Sequence, residues 1–142
     1  MFKITLFPAH ARLLMLCAGF WDLPEAYAFQ DNMCRIMPDA LALGRPLRLL
    51  VILLDNAVPQ ASVVEVNTQT AELFQAVSID RQALVTDSAI LRLQVRRTLS
   101  ATGVTVFSDL AAAADWLEWP LDELLRELDR DCEPARLHAA AG

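Results

Sequence analysis

The sequence has few residues of the kinds that build metal and catalytic sites. Two histidines, His10 and His138, occur in 142 residues, and neither lies in a motif beside a nucleophile. A metal site needs several nitrogen, oxygen or sulfur ligands that converge, and nucleophilic catalysis needs a base next to the nucleophile. We therefore expect no metal, no cofactor and no catalytic residue, and we expect that the protein is not an enzyme.

Glycine and cysteine are also sparse. The four glycines are scattered, so the sequence has no glycine-rich loop that could hold a phosphate group. The three cysteines, Cys17, Cys34 and Cys132, lie far apart without a CxxC pair. An odd and widely spaced set is typical of free thiols in a reducing compartment, which predicts a cytoplasmic protein.

Basic residues are outnumbered: 12 lysines and arginines stand against 18 aspartates and glutamates, which gives a formal net charge of −6. Binding to a nucleic-acid backbone needs clustered cations, so we exclude nucleic acid as a partner. No apolar run reaches the roughly 18 residues of a membrane span. The hydrophobic fraction of 55% exceeds the about 45–50% of an average domain, which leaves apolar surface for a ligand or a partner.

Apolar runs alternate regularly with signals for helix starts. Strands are predicted over Phe2–Phe7, 12–21, Leu47–Leu54, 82–86 and Val104–Phe107. A first helix is predicted to start after Asp22 and to stop or kink at Pro38, and a second to span 62–77, although its valines at 63, 64 and 66 also suit the start of a strand. Further helices are predicted to run from Asp87 or Ser88 to about residue 101, to reach Trp119 from Ser108 or Asp109, and to span 121–131. The inner face of the first of these helices is expected to hold Leu23, Ala26, Tyr27, Met33, Cys34 and Met37.

The run Leu47–Leu54 consists almost entirely of leucine, valine and isoleucine. A strand this apolar is buried on both faces, which requires helices above and below it. The order of elements then predicts an α/β domain with a mixed, partly parallel sheet of about five strands flanked by helices. We assign 1–119 to this domain and 120–142 to a C-terminal helical extension and tail.

Several short motifs resemble the SpoIIAA-like branch of the STAS superfamily, the fold of bacterial anti-anti-sigma factors. They are VTVFSD at 104–109, ADWL at 114–117, ALVTDS at 83–88 and GFW at 19–21. The resemblance covers about five-sixths of the chain. It implies a STAS-like fold and the binding of a small apolar ligand or lipid, with membrane association as a further option, and it transfers no catalytic residue.

One segment departs from the pattern of anti-anti-sigma factors. Those proteins carry an Asp-Ser-Ser-Gly-like phosphorylation motif after the third strand, whereas residues 55–62 read DNAVPQAS here. The phosphorylatable serine motif is therefore absent in that form. A regulatory protein–protein module of the anti-anti-sigma type, without this switch, is the alternative to a ligand-binding module.

Two groups of residues are candidates for ligand binding. Aromatic and methionine side chains near the start of the first helix suit an apolar cleft, with core packing as the alternative: Phe20, Trp21, Tyr27, Met33 and Met37. Ligands of open α/β sheets bind beyond the carboxyl ends of the strands. That rim is expected to gather Asp55, Asn56, Asp87 and Ser88, although the last two also suit helix caps.

Two further features are candidates for partner binding. Arg92, Arg96 and Arg97 form a basic patch that suits a carboxylate, a phosphate or an acidic protein partner, with a solvated helix face as the alternative. The C-terminal segment carries leucines at helical spacing on an acidic helix. This amphipathic stripe must be covered by its own domain or by a second copy in a homodimer.

Overall fold

The computed structural model describes residues 1–54, 60–93 and 103–130. These residues form a five-stranded sheet of order β1-β2-β3-β4-β5. The first pair of strands is antiparallel, and the remaining neighbours are parallel. The predicted α/β class with a mixed sheet is thereby confirmed. The strands are β1 (Phe2–Phe7), β2 (Arg12–Ala18), β3 (Leu47–Leu54), β4 (Ile79–Thr86) and β5 (Val104–Phe107).

Helices follow β2 and each later strand. No helix in the described ranges is long and apolar enough to cross a membrane. The helices are α1 (Leu23–Ala42), α2 (Ala61–Glu72), which continues as a 3-10 turn over Leu73–Ala76, α3, which is helical over 89–93, α4 (Leu110–Leu117) and α5 (Leu121–Asp129).

Strand β3 lies at the centre of the sheet and is covered on both faces. Leu49 and Val51 belong to one core cluster together with residues of α1 and α2. Leu50 and Ile52 belong to a second cluster together with residues of α4 and α5. Burial of each such side chain contributes about 1.5–3 kcal/mol relative to exposure. The alternation along β3 therefore places two helical layers on opposite faces of the sheet, as the sequence predicts.

Helix α1 starts where the sequence predicts, because the Asp22 carboxylate accepts a hydrogen bond from the backbone N–H of Glu25 at 2.9 Å. Its predicted inner face is partly wrong: Leu23, Tyr27 and Cys34 are exposed. The helical period continues from Ala26 through positions three and four residues apart, and this places a different set of side chains against the sheet. The buried residues are Ala26, Phe29, Met33, Met37 and Ala40.

Of the two predicted effects of Pro38, a stop is wrong, because α1 continues to Ala42. A kink at this residue stays a prediction. Proline removes one N–H donor, which would otherwise bond the carbonyl group four residues earlier, at Cys34. Pro38 and Cys34 both lie on the exposed side of α1, where water can reach the backbone. The last turn is held in place by Met37 and Ala40, which are buried on the opposite side.

Three arginines lie side by side on neighbouring strands. Arg12 of β2 pairs in register with Arg48 of β3, which pairs with Arg81 of β4. Their guanidinium groups donate hydrogen bonds to three consecutive backbone carbonyl groups at the end of α4: Arg12 to Glu118, Arg48 to Leu117 and Arg81 to Trp116. We call these three residues the arginine row. The row determines where the C-terminal end of α4 lies on the sheet.

The carbonyl end of a helix carries a partial negative charge, which stabilises adjacent cations. Arg48 also lies 3.2 Å from a carboxylate oxygen of Glu118 and from one of Asp80. The hydrogen bond to Glu118, with a smaller contribution from Asp80, raises the pKa of Arg48. Burial instead lowers the pKa of Arg12. Mutual repulsion within the arginine row is thus offset by the end of α4 and by nearby carboxylates.

Strand β1 holds α5 in a similar way. The Lys3 ammonium group donates hydrogen bonds to the carbonyl oxygens of Glu127, at 2.5 Å, and Arg130, at 2.6 Å. Leu124 and Leu128 of α5 are buried in the core cluster that contains Leu50 of β3. These leucines of the C-terminal segment are therefore covered by their own domain. A homodimer through this segment stays a prediction.

Replacement of the central arginine tests the arginine row. We expect Arg48→Met to lower the free energy of unfolding by about 2 kcal/mol, because it removes hydrogen bonds that involve a charged group. Urea denaturation measures this change. The matched control is Arg35→Met on the exposed face of α1, which should change stability by less than about 0.5 kcal/mol. Equal effects of the two substitutions would contradict the proposed contribution of Arg48.

Candidate functional site

A cavity of about 210 Å³ lies between the sheet and helices α1 and α2. We call it the α1–α2 cavity. It is partly open to solvent, and most of its wall is apolar. The wall is formed by the ends of β2 and β3, the start of α1, one side of α2 and the 3-10 turn: Met15, Cys17, Gly19, Trp21, Phe29, Leu53, Val63, Asn67, Thr70, Ala71 and Phe74.

The alternation of side chains along the strands brings this wall together. Met15 and Cys17 of β2 belong to the core cluster beneath α1 and α2, whereas Leu14 and Leu16 belong to the cluster on the other face. After β2 the chain turns at Gly19, whose φ of +78° favours glycine. The cavity thus lies at the carboxyl ends of two parallel strands, where α/β sheets commonly bind ligands.

Three aromatic rings support one end of the cavity wall. The rings of Trp21 and Phe29 lie with their centroids 5.0 Å apart. Phe2 packs edge-on against both, at 5.8 Å from Trp21 and 5.3 Å from Phe29. Aromatic pairs in such arrangements contribute about 0.5–1.5 kcal/mol beyond their buried area. This packing fixes the orientation of the Trp21 indole at the cavity.

Two polar atoms of the wall are buried without a hydrogen-bond partner in the described part of the chain. They are the indole Nε1 of Trp21, which is a donor, and the amide oxygen Oδ1 of Asn67, which is an acceptor. The hydroxyl group of Thr70, by contrast, donates to the carbonyl oxygen of Val66 at 3.0 Å. A buried polar group left unpaired costs about 1–3 kcal/mol. Both atoms belong to residues that line the α1–α2 cavity, and both are left unpaired among the described residues.

The remaining polar group of interest is the thiol of Cys17. Burial raises the pKa of this thiol from its ordinary 9.0 to about 12. The reactive form of cysteine is the thiolate, so Cys17 is a poor nucleophile at neutral pH. No group of three or more histidine, cysteine, aspartate or glutamate residues that could hold a metal ion occurs within 1–54, 60–93 and 103–130.

The five predicted aromatic and methionine residues occupy three kinds of position. Trp21 lines the cavity. Met33 and Met37 are buried in the same core cluster but do not line the cavity. Phe20 and Tyr27 have 53% and 48% of their surface exposed and also lie outside the cavity lining. The structure thus brings one of the five to the site.

The predicted rim and basic patch are described only in part. Asp55, Asn56, Arg96 and Arg97 lie outside the described residues. Asp87 is exposed and does not line the cavity. The Ser88 hydroxyl oxygen accepts a hydrogen bond from the backbone N–H of Leu91 at 3.2 Å, as expected of a helix cap. The Arg92 guanidinium donates to the carbonyl oxygen of Thr86, also at 3.2 Å.

Several residues of the cavity wall were not predicted from the sequence. Helix α2 supplies Val63, Asn67 and Ala71 to the wall, each four residues after the last. A polar residue at the centre of such a row does not identify the site by itself, because α2 carries polar residues at several other positions. The sequence does not identify Phe29, because the predicted inner face of α1 contains Tyr27, two residues earlier, and not Phe29.

No protein-family model matches this sequence, and no curated protein matches it.

Removal of the unpaired amide oxygen of Asn67 should stabilise the protein when no ligand is present. We expect Asn67→Leu to raise the free energy of unfolding by about 1 kcal/mol, because it replaces a side chain whose amide oxygen is buried and unpaired with an apolar side chain of similar size. Urea denaturation measures the change. The control is Asn32→Leu, because the Asn32 amide donates to the carbonyl oxygen of Ala28 at 2.9 Å. A loss of stability in Asn67→Leu would show that this amide has a partner.

Alkylation tests the raised pKa of Cys17. In a Cys132→Ser background at about pH 8, iodoacetamide should modify the exposed Cys34 and leave Cys17 intact until urea unfolds the protein. Equal alkylation rates of Cys17 and Cys34 in the folded protein would contradict the raised pKa of Cys17.

The raised pKa of Cys17 also makes stability depend on pH. Between about pH 9 and pH 12 the unfolded chain loses the thiol proton of Cys17 and the folded chain keeps it, so the free energy of unfolding should fall as the pH rises.

Proposed function

We propose that the protein is a non-enzymatic binding module that holds a small apolar molecule in the α1–α2 cavity. The observation that carries this proposal is a partly open, mostly apolar cavity whose wall includes a few polar side chains, among them those of Asn67 and Thr70. Apolar pockets with a few placed polar groups are the usual form of small-molecule sites. The protonated thiol of Cys17 adds no catalytic chemistry to such a site.

The volume of the cavity sets the size of the ligand. A dry cavity of about 150 Å³ holds one benzene ring, so 210 Å³ accommodates roughly eight non-hydrogen atoms by the same ratio. A single ring with a short substituent fits this volume. A lipid chain would place only one end inside and leave the remainder at the opening, an arrangement compatible with membrane association.

The resemblance to the SpoIIAA-like branch of the STAS superfamily supports the same proposal. It implies an apolar ligand or lipid and a STAS-like arrangement of the sheet, with the C-terminal amphipathic segment as an addition to that domain. A cytoplasmic location agrees with the expectation of free thiols. The alternative, docking of a protein partner through Arg92, Arg96 and Arg97, stays a prediction; the exposed side chains of Ile90 and Leu93 lie beside Arg92 and suit such a contact.

Filling the cavity should abolish binding of an apolar probe. Propylbenzene, which has nine non-hydrogen atoms, should raise the melting temperature of the wild-type protein, because a ligand that binds only the folded state stabilises it. We expect Ala71→Phe to remove this shift, since Ala71 lines the cavity from the solvent-exposed side of α2, where a phenyl ring can cover the opening. Differential scanning fluorimetry measures both proteins with and without the probe.

The matched control is Ala28→Phe, which adds the same side chain to the exposed face of α1, away from the cavity. It should keep the shift seen in the wild-type protein. The proposed function is contradicted if propylbenzene produces no shift in the wild-type protein, or if Ala71→Phe and Ala28→Phe respond to it equally.

A further inference from the structure

We propose that the free edge of β1 binds a second copy of this chain, so that the β1 strands of two copies pair antiparallel across a two-fold axis at Ile4. The two five-stranded sheets then form one continuous sheet. A two-fold interface of this kind requires a surface that complements itself. The backbone groups along the edge of β1 have that property. The interface is separate from the α1–α2 cavity, because no residue of β1 lines the cavity.

Strand β1 lies at one edge of the sheet and has a neighbouring strand, β2, on one side only. All residues of β1 are partly exposed, whereas every residue of β2 after Arg12 is buried. The strand at the opposite edge, β5, has four residues, and β1 has six. The unpaired N–H and C=O groups of an edge strand readily pair with a strand of another chain. The longer of the two edges is therefore β1.

The hydrogen bonds between β1 and β2 determine which backbone groups of β1 face outward. Met1 and Ala18 exchange two backbone hydrogen bonds, at 2.8 and 3.0 Å. Such pairs recur at every second residue of an antiparallel pair of strands, so the odd-numbered residues of β1 bond to β2. The N–H and C=O groups of the even-numbered residues, Phe2, Ile4 and Leu6, therefore point away from β2.

The other side of β2 shows the same alternation. The carbonyl oxygen of Ala11 accepts a hydrogen bond from the backbone N–H of Arg48, and the N–H of Gly19 donates to the carbonyl oxygen of Leu54, both at 2.9 Å. Odd-numbered residues of this segment thus bond to β3, which leaves its even-numbered residues to bond to β1. In the part of the chain that the structure describes, no hydrogen bond uses the outward N–H and C=O groups of β1.

One register lets two such edges satisfy each other completely. With the two-fold axis at Ile4, this residue lies opposite the partner's Ile4, and Phe2 and Leu6 lie opposite the partner's Leu6 and Phe2. Each of these pairs exchanges two hydrogen bonds. A shift in either direction leaves Phe2 or Leu6 unpaired. An axis at Lys3 would also place the two Lys3 side chains directly opposite each other, which is unfavourable for like charges; the axis at Ile4 places Lys3 opposite the partner's Thr5.

The usual protections of an edge strand are missing from β1. Such strands commonly carry a proline, a bulge or an exposed lysine. No proline occurs in β1, and its pairing with β2 is continuous. The one lysine, Lys3, is 13% exposed and donates its ammonium hydrogens to carbonyl oxygens of Glu127 and Arg130 at the end of α5. Lys3 is therefore occupied within its own subunit.

The C-terminal segment is the other candidate for a homodimer interface. Leu124 and Leu128 of α5 are already buried against the sheet of their own domain, so they do not require a second copy. The edge of β1, by contrast, has donors and acceptors that its own described residues leave unpaired. These observations favour β1 as the interface.

Two substitutions at Ile4 test the interface by sedimentation equilibrium of the untagged full chain. Ile4→Pro removes the N–H at the two-fold axis, which bonds to nothing in the described part of one subunit, and proline is tolerated at such edge positions. Ile4→Ala is the matched control, because it also shortens the side chain but keeps the N–H. We expect Ile4→Pro to raise the dissociation constant of the dimer at least about tenfold, since two hydrogen bonds are lost per dimer, and Ile4→Ala to change it by less than about threefold.

A second pair of variants tests the register and remains informative if Ile4→Pro does not fold. Thr5 is partly exposed and lies opposite the partner's Lys3 in the proposed register. Thr5→Lys places like charges opposite each other at two symmetric positions and should raise the dissociation constant about threefold to tenfold. Thr5→Glu places opposite charges there and should lower the dissociation constant by a similar factor. Equal dissociation constants of the two variants would overturn the register.

Amide hydrogen exchange identifies what covers the edge. We expect the amide of Ile4 to be protected only at protein concentrations at which the dimer forms, whereas the amide of Thr5, which bonds to β2, is protected at all concentrations. Protection of Ile4 in the monomer would show that another segment of the same chain covers β1, and this would overturn the proposal. A wild-type protein that stays monomeric, or a dimer that Ile4→Pro does not weaken, would also overturn it.

Discussion

The structure depends on a central strand that has no face suited to water. Leu47, Leu49, Leu50 and Ile52 of β3 are almost fully buried, and their side chains alternate between the two faces of the sheet. Each face must therefore be covered. Helices α1 and α2, which connect the parallel strands, cover one face, and the chain after β5 returns as α4 and α5 to cover the other.

The two faces are held by different kinds of contact. On the α4 and α5 face, cations from four strands bind the ends of helices: the arginine row binds the end of α4, and Lys3 binds the end of α5. Directed hydrogen bonds of this kind fix the position of each helix. On the α1 and α2 face the contacts are almost entirely apolar, and packing there leaves the cavity between Cys17, Phe29 and Val63. The contacts that position α4 and α5 thus lie on the face of the sheet opposite the cavity.

Elements with a strong local signal could be predicted from the sequence. The bounds of β1, β3 and β5 agree with the prediction, because their apolar runs end at clear breaks. The start of α1 agrees because Asp22 caps it. The inner face of that helix was misplaced because Tyr27 and Phe29 compete for it, and the outcome depends on the rotation of the helix against the sheet.

Apart from Trp21, the site could not be predicted, because it forms only through contacts between distant segments. Trp21 and Asn67 are 46 positions apart, and the sequence does not show that α2 packs beside α1. The same holds for Arg12, Arg48 and Arg81, whose alignment appears only once the register of the strands is known. Each residue looks ordinary in its own segment.

The proposed function depends on an accessible apolar cavity between α1 and α2. Xenon is an apolar atom that enters dry cavities, so diffraction from crystals pressurised with xenon tests the claim most directly. We expect xenon density within the α1–α2 cavity, in contact with Cys17, Phe29 or Val63. Side chains that close this space, with no xenon bound between the two helices, would contradict it.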